Sequence, residues 1–180
     1  MQEKTFMNKR VFVAVNIPQE IRKEIVGIFS SKLPKDKMKV VEEENLHITL
    51  KFLGYFSPEA IEKLKENLLK TTQKKFSVEL KGIGHFNGRV LWVGVGKGSS
   101  ELEKLSRELD ELLELKNDSF HSHVTLARNK SLGRKQVSEL AEELNRASFI
   151  KEFKVKSIDL MESKLTPKGP VYGKLFEKKL

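Results

Sequence analysis

The chain has 180 residues, 38% hydrophobic and 33% charged, which suits one globular domain with a buried core and excludes a large multidomain assembly. With no Cys, disulfides, a thiolate nucleophile, Cys-ligated zinc and iron–sulfur clusters are all excluded. A formal net charge of +9 favours polyanionic partners, nucleic acid above all, while the absence of a long apolar run and the polar segment Met1–Arg10 lead to the expectation of a cytoplasmic protein off the membrane.

The first strand is expected at Arg10–Ile17, where Val11, Val13 and Val15 alternate with Phe12, Ala14 and Asn16. Pro18 then opens a helix to about Lys32 with Ile21, Ile25 and Ile28 on one face. A short extended piece, Lys39–Val41, precedes a stronger strand, Leu46–Leu53, that is expected to stop at Gly54. Ser57-Pro58-Glu59 reads as a helix start, followed by Ile61, Leu64 and Leu68. Phe76, Val78 and Leu80 alternate, Gly82 to Gly88 reads as a turn, and Val90–Val95 as the strand after it. Ser100 is expected to cap a helix carrying Leu102, Leu105, Leu109, Leu112 and Leu113. Phe120–Arg128 is extended, and Val137, Leu140 and Leu144 mark the next helix. Two final strands, Phe153–Leu165 and Val171–Phe176, flank the turn Thr166-Pro167-Lys168-Gly169-Pro170.

The order strand, helix, strand, helix, strand occurs once from Val11 and again from Val90, and the third element of each half carries a matching tetrapeptide, His47-Ile48-Thr49-Leu50 and His123-Val124-Thr125-Leu126. On a strand, residues two apart share a face, so each His is presented together with its Thr while the intervening aliphatics pack the core. Imidazole takes or gives a proton near neutral pH, and a threonine hydroxyl hydrogen-bonds a phosphoryl oxygen. Two such pairs facing one cleft supply a base, an acid and two phosphate donors, the inventory of phosphodiester cleavage, with no metal required. The chain holds only 4 His, so two of them in equivalent tetrapeptides outweigh the ordinary structural explanation that a single His-x-Thr would receive.

The segments Asn45-Leu46-His47-Ile48-Thr49-Leu50-Lys51-Phe52-Leu53-Gly54 and His123-Val124-Thr125-Leu126-Ala127-Arg128 resemble the paired signatures of the two-histidine (2H) phosphoesterases, specifically the RNA 2′,3′-cyclic phosphodiesterases also called 2′-5′ RNA ligases. Arg10–Val15, the Gly82–Val95 hairpin and Leu160–Tyr172 are similar to the same family, so the resemblance spans the chain. It implies a single α+β domain over 1–180, made of two similar intertwined lobes in a bilobal pseudo-two-fold arrangement. Two antiparallel β-sheets carry helices on the outside, and the active-site cleft lies between the lobes. It implies hydrolysis of an RNA terminal 2′,3′-cyclic phosphate to a 2′-phosphomonoester, without metal or other cofactor, and possible reverse 2′-5′ ligation. His47 would protonate the leaving 3′ oxygen, His123 would accept the proton from water, and Thr49, Thr125 and Arg128 would bind the phosphate. Alternation puts Arg128 off the His-Thr face of an ideal strand, so this role requires a bend there. Ser122 departs from the Pro of many relatives. The expected partner is RNA ending in a cyclic phosphate, tRNA fragments included, and the expected state is a monomer. The alternatives are a phosphodiesterase for a small cyclic phosphate or a 2′-5′ oligonucleotide, and a non-catalytic RNA-binding module.

Other residues receive plainer readings. Lys51 shares the His47 and Thr49 face of an ideal strand and reads as a solvated strand-end charge with phosphate contact as the second option. His121 is expected to hold no metal, His85 to serve a turn, and Trp92 to belong to the core, with Phe86 and Trp92 as stacking candidates for a base. The lysines between Lys70 and Lys75 read as a solvated helix end that tracks RNA backbone in the sharper version.

Overall fold

Nine strands and four α-helices make up the computed structural model, which describes residues 7–116, 119–167 and 169–180. In chain order they are β1 (Lys9–Asn16), α1 (Gln19–Phe29), β2 (Met38–Val40), β3 (His47–Phe56), α2 (Pro58–Leu69), β4 (Phe76–Phe86), β5 (Val90–Val95), α3 (Ser99–Leu112), β6 (His123–Asn129), α4 (Arg134–Asn145), β7 (Ile150–Val155), β8 (Ser157–Thr166) and β9 (Gly169–Lys179). This is the α+β class read from the sequence.

All strand pairs are antiparallel, in the order β7-β4-β5-β6-β3-β1-β8-β9, with β2 added to the free part of the β6 edge. The sheet therefore has two halves, β7-β4-β5-β6 and β3-β1-β8-β9, and they meet at one residue pair, Ile48↔Val124. The two sheets expected from the sequence are thus joined into one continuous path, and both His-x-Thr tetrapeptides sit on the two strands at the join.

The face opposite the histidines is covered by helices. Val11, Val13 and Val15 of β1 pack with Ile21, Ile25 and Phe29 of α1, Leu102, Leu105 and Leu109 of α3 and Val137 and Leu144 of α4 in one core, each apolar residue at helical or strand spacing. The other face is not bare: Phe12, Ala14 and Met161 form a second small cluster with Tyr172 against it.

Several boundaries differ from the sequence expectation. The Ser57 hydroxyl accepts from the Ala60 N–H at 3.3 Å, the expected N-cap, worth about 1 kcal/mol. The helix of Leu102 to Leu112 begins two residues early, at Ser99, with Gly98 as N-cap at φ +84 and a Cβ there meeting the Ser77 carbonyl, so glycine is demanded and Ser100 falls inside the first turn. β3 runs on through Gly54 to Phe56, and β4 runs on through Gly82 and Gly84 to Phe86: register shifts beside Gly54 and across Gly82 keep these strands paired, and Gly84 pairs in register with Trp92. The turn itself is confined to Asn87, Gly88 and Arg89, where the Arg89 N–H donates to the Phe86 carbonyl. α1 gives way after Phe29 to a 3₁₀ turn over Ser30–Lys32. Phe153–Leu165 is two strands: the chain breaks at Lys156, β7 joins β4 at one end of the sheet and β8 joins β1 in the other half. The turn residue Lys168 lies outside the described residues.

Candidate active site

The antiparallel register about Ile48↔Val124 brings His47 beside Thr125 and Thr49 beside His123 on one face of the sheet, since each is one residue removed from that pair. Diagonal neighbours in such a ladder stand roughly 7–8 Å apart, which leaves space for one phosphoryl group between the two imidazoles.

Each tetrapeptide ends in a β-bulge at the same place. Between β1 and β3, Ala14 pairs with Thr49 but Val13 with Lys51, so Leu50 is the extra residue; between β5 and β6, Trp92 pairs with Thr125 but Leu91 with Ala127, so Leu126 is. Both extra leucines are buried. The slip reverses the alternation beyond it. Arg128 thereby returns to the face of His123 and Thr125, which supplies the bend its expected role required. The equivalent slip turns Lys51 away from His47 and toward the helices, contrary to the sequence expectation. Its Nζ lies 2.6 Å from Asp110 Oδ2 of α3, with both side chains less than a tenth exposed, so Lys51 is neither solvated nor at the phosphate site.

The imidazoles are oriented alike. His47 Nδ1 is 2.7 Å from the Asn45 carbonyl and His123 Nδ1 is 2.7 Å from the His121 carbonyl. A carbonyl only accepts, so Nδ1 carries the hydrogen in both rings and Nε2 is left for chemistry. The Thr49 hydroxyl stands 2.8 Å from His47 Nε2 and donates to it when the ring is neutral. Asn45 is itself held, its amide donating to the Pro170 carbonyl at the start of β9.

Aromatic rings wall both histidines. Phe12 lies 5.0 Å and Tyr172 5.3 Å from the His47 ring centroid, Tyr172 edge-on at 84°. Phe86 stands edge-on to His123 at 4.9 Å and 89°, with Trp92 at 6.3 Å. Removal of water disfavours imidazolium: burial lowers the His47 pKa to about 4, with the Asn45 bond opposing and the charge of His123 adding to the fall. His123 is lowered also, by burial first and then by the charges of His121 and Arg128, while the Asn45-like bond to the His121 carbonyl opposes. Burial raises Tyr172, against the pull of Arg128 and Arg10. Arg128 thus acts on His123 in one half and on Tyr172 in the other, and Lys39 of β2 is its neighbour across the ladder.

Trp92 is on the cleft face and half-buried, not in the core, because Gly84 on β4 leaves the space its indole occupies. His85 serves its turn, with Nε2 2.9 Å from the Ser138 hydroxyl and Nδ1 accepting from the Gly88 N–H. Ser122 is buried and its hydroxyl lies 2.9 Å from that of Ser99, tying the approach to β6 to the start of α3. Tyr172, Phe12 and Asn45 were not singled out from the sequence; the one local signal was Phe12 and Ala14, apolar residues on the second face of β1, which announce that this face is covered too.

Similar proteins share both the sequence and this architecture. An RNA 2′,3′-cyclic phosphodiesterase of Archaeoglobus fulgidus is 34% identical over 174 residues, 92% of this chain and 97% of that protein, and one of Aeropyrum pernix is 38% identical over 153 residues, 79% and 86%. The crystal structure of Escherichia coli LigT complexed with 3′-AMP superposes with a TM-score of 0.79 at 25% identity, covering 96% of this chain and 98% of LigT. The sequence profile of one superfamily matches residues 14–166, from the cleft face of β1 through both His-x-Thr strands to the end of β8, and by that match the chain belongs to the 2′-5′ RNA ligase superfamily.

Proposed function

We propose that this chain is an RNA 2′,3′-cyclic phosphodiesterase that opens a terminal cyclic phosphate to a 2′-phosphomonoester, with His47 and His123 as its acid and base. The observation that carries the reading is the pairing of the two His-x-Thr strands at Ile48↔Val124, with both Nδ1 atoms pinned to carbonyls. Relatives that align over nine-tenths of the chain bear the name of this activity. In the reaction, water attacks phosphorus in line with the 3′ oxygen. The P–O bond to water forms as the P–O3′ bond breaks, one imidazole takes the water proton and the other protonates O3′. Following the family resemblance, His123 takes the proton and His47 gives it. Thr49, Thr125 and Arg128 hold the non-bridging oxygens, Arg128 with the fork geometry suited to an oxyanion. The net charge of +9 and the cleft cations Arg10, Lys39 and Arg128 favour a polyanionic substrate.

The test is incubation in EDTA with a short RNA ending in 2′,3′-cyclic phosphate, followed by phosphorus NMR. Quantitative conversion to the 2′-phosphomonoester is expected; a 3′-phosphate, or no conversion, rejects the assignment.

The pH dependence follows from the burial of the rings. One imidazole must be protonated and the other neutral, so kcat/KM rises through the lower free-enzyme pKa and falls through the higher. With His47 lowered to about 4 and His123 also lowered, the maximum is expected between pH 4 and the ordinary histidine value of about 6.5. A bound phosphodiester anion favours both imidazolium forms, so the maximum of kcat is expected at higher pH than that of kcat/KM. Profiles of both parameters with one RNA check this, and a kcat maximum on the acid side of the kcat/KM maximum contradicts it.

A further inference from the structure

Strand β3 carries a second β-bulge beyond the one at Leu50. Phe12 pairs with Phe52 but Val11 with Gly54, so Leu53 is the extra residue, and Gly54 beside it adopts φ +93, a conformation that glycine takes without strain. Strict alternation from His47 would send Lys51 and Leu53 outward and Phe52 into the core. The two slips do the reverse. Leu50 and Leu53 pack in or against the main core, while Phe52 stands opposite Phe12 and Tyr55 opposite Arg10, both on the histidine face. Phe52 is 72% exposed and Tyr55 65%, and Arg10 is exposed with them.

We propose that Phe52, Tyr55 and Arg10 form a platform for single-stranded RNA, which takes the bases of the two nucleotides preceding the cyclic-phosphate nucleotide and the phosphate that links them; the inference rests on the reading given under Proposed function. Three observations support it. First, direction: His47 serves O3′, so the ribose that carries the cyclic phosphate, and the chain that continues from its 5′ carbon, lie on the His47 side of phosphorus. That side is the half-sheet of β3, β1, β8 and β9, and the platform belongs to its cleft face.

Second, distance: the Phe52 ring centroid stands 6.4 Å from that of Phe12, which lies 5.0 Å from that of His47, so aromatic surface continues from the wall of the catalytic imidazole to the open rings. Counting about 3.3 Å per paired residue and leaving out the two bulged ones, Phe52 and Tyr55 stand roughly 13 Å and 20 Å beyond His47 along the strand. The terminal ribose does not span that; a strand with two further nucleotides does.

Third, chemistry: exposed aromatic rings beside a cation hold single strands by stacking and charge, without reading sequence. Arg10 complements the linking phosphate, and its charge reaches the Tyr172 hydroxyl as that of Arg128 does, so positive charge runs on from the phosphate site to the platform. Phe12, by contrast, is only 4% exposed, with Tyr172 edge-on to it at 4.9 Å, so it offers no free face to a base.

The test measures kcat/KM for adenosine 2′,3′-cyclic phosphate and for oligoadenylates of three and five nucleotides with a 5′-hydroxyl and a 2′,3′-cyclic phosphate end, in the native protein and in Phe52→Thr/Tyr55→Thr. Native kcat/KM is expected to rise about tenfold or more from one nucleotide to three, and less than about twofold from three to five. In the double variant the ratio of trinucleotide to mononucleotide is expected to fall about fivefold or more, whereas Phe52→Tyr, which keeps a ring to stack on, retains it. A native ratio near one, an unchanged ratio in the double variant, or an equal loss in Phe52→Tyr overturns the platform. A native protein that hydrolyses none of these substrates rejects the phosphodiesterase reading itself, and this inference with it. A second measurement needs no variant: a trinucleotide whose two preceding residues are abasic is expected to lose most of the gain. A gain that persists belongs to the RNA backbone and overturns stacking on Phe52 and Tyr55. Arg10→Gln is expected to make the fall of log kcat/KM with log salt for the trinucleotide shallower by about 0.7, the value of one phosphate contact on a single strand, and an unchanged slope removes Arg10 from the platform.

Discussion

His47→Ala and His123→Ala are each expected to lower kcat for cyclic-phosphate hydrolysis by about 10²–10⁴-fold, the usual contribution of a positioned general acid or base. The double variant is expected to fall little further, because the two imidazoles act in one concerted displacement and removing either already forfeits it. Each single variant should also lose one limb of the kcat/KM profile. Native circular dichroism separates chemistry from folding, and both rings sit at the cleft rather than in the main core. A substrate that needs no acid separates the roles. In a nucleoside 2′-(4-nitrophenyl phosphate) the 3′-hydroxyl attacks and nitrophenolate departs unprotonated. In this ring-closing direction His47 is the base, and the leaving oxygen occupies the His123 side. His123→Ala should therefore recover most of its rate while His47→Ala should not. The opposite pattern exchanges the two assignments, and recovery of neither or both removes the division of labour.

What the sequence made legible and what it hid divide along one physical line. His47, Thr49, His123 and Thr125 were readable because a two-residue spacing on a strand fixes a shared face, and none of the four lies beyond a bulge. Arg128 and Lys51 lie just beyond one. A bulge is specified by pairing with a neighbouring strand, Trp92↔Thr125 then Leu91↔Ala127, and not by the composition of the strand that carries it. Strict alternation therefore placed both residues on the wrong faces. Tyr172 reaches His47 from β9, more than a hundred residues away in sequence, and only the assembled sheet brings them together. The glycines at 82 and 84 looked like a turn because glycine is the usual turn residue; here one allows a register shift and the other makes room for an indole. Lys156 breaks an apparently continuous strand for a topological reason, since its two sides pair in opposite halves of the sheet.

The second large effect concerns the residue that the bulge turned inward. Lys51→Met leaves the Asp110 carboxylate buried without its cation, and Asp110→Leu leaves the Lys51 ammonium likewise; each is expected to cost about 3–5 kcal/mol of stability. For a chain of this length each kcal/mol corresponds to a Tm change of about 2–4 °C, so the loss is readable by thermal melting. Among the described residues Asp110 already has one carboxylate oxygen, Oδ1, buried without a partner, which adds to the cost of removing the Lys51 ammonium from the other. Replacing both residues together removes both desolvation penalties, so Lys51→Met/Asp110→Leu is expected to recover most of the native Tm or exceed it. The Ser106 hydroxyl, also buried, stands 3.5 Å from the Leu50 carbonyl at the bulge, so α3 still meets the bulge in the double variant. Because Lys51 faces α3 and not the phosphate, kcat of the double variant at a temperature where it is folded is expected within a few-fold of native. A single variant that melts like the native protein shows that water reaches the pair. A stable double variant with kcat reduced a hundredfold returns Lys51 to the phosphate site and contradicts the face assigned to it by the bulge.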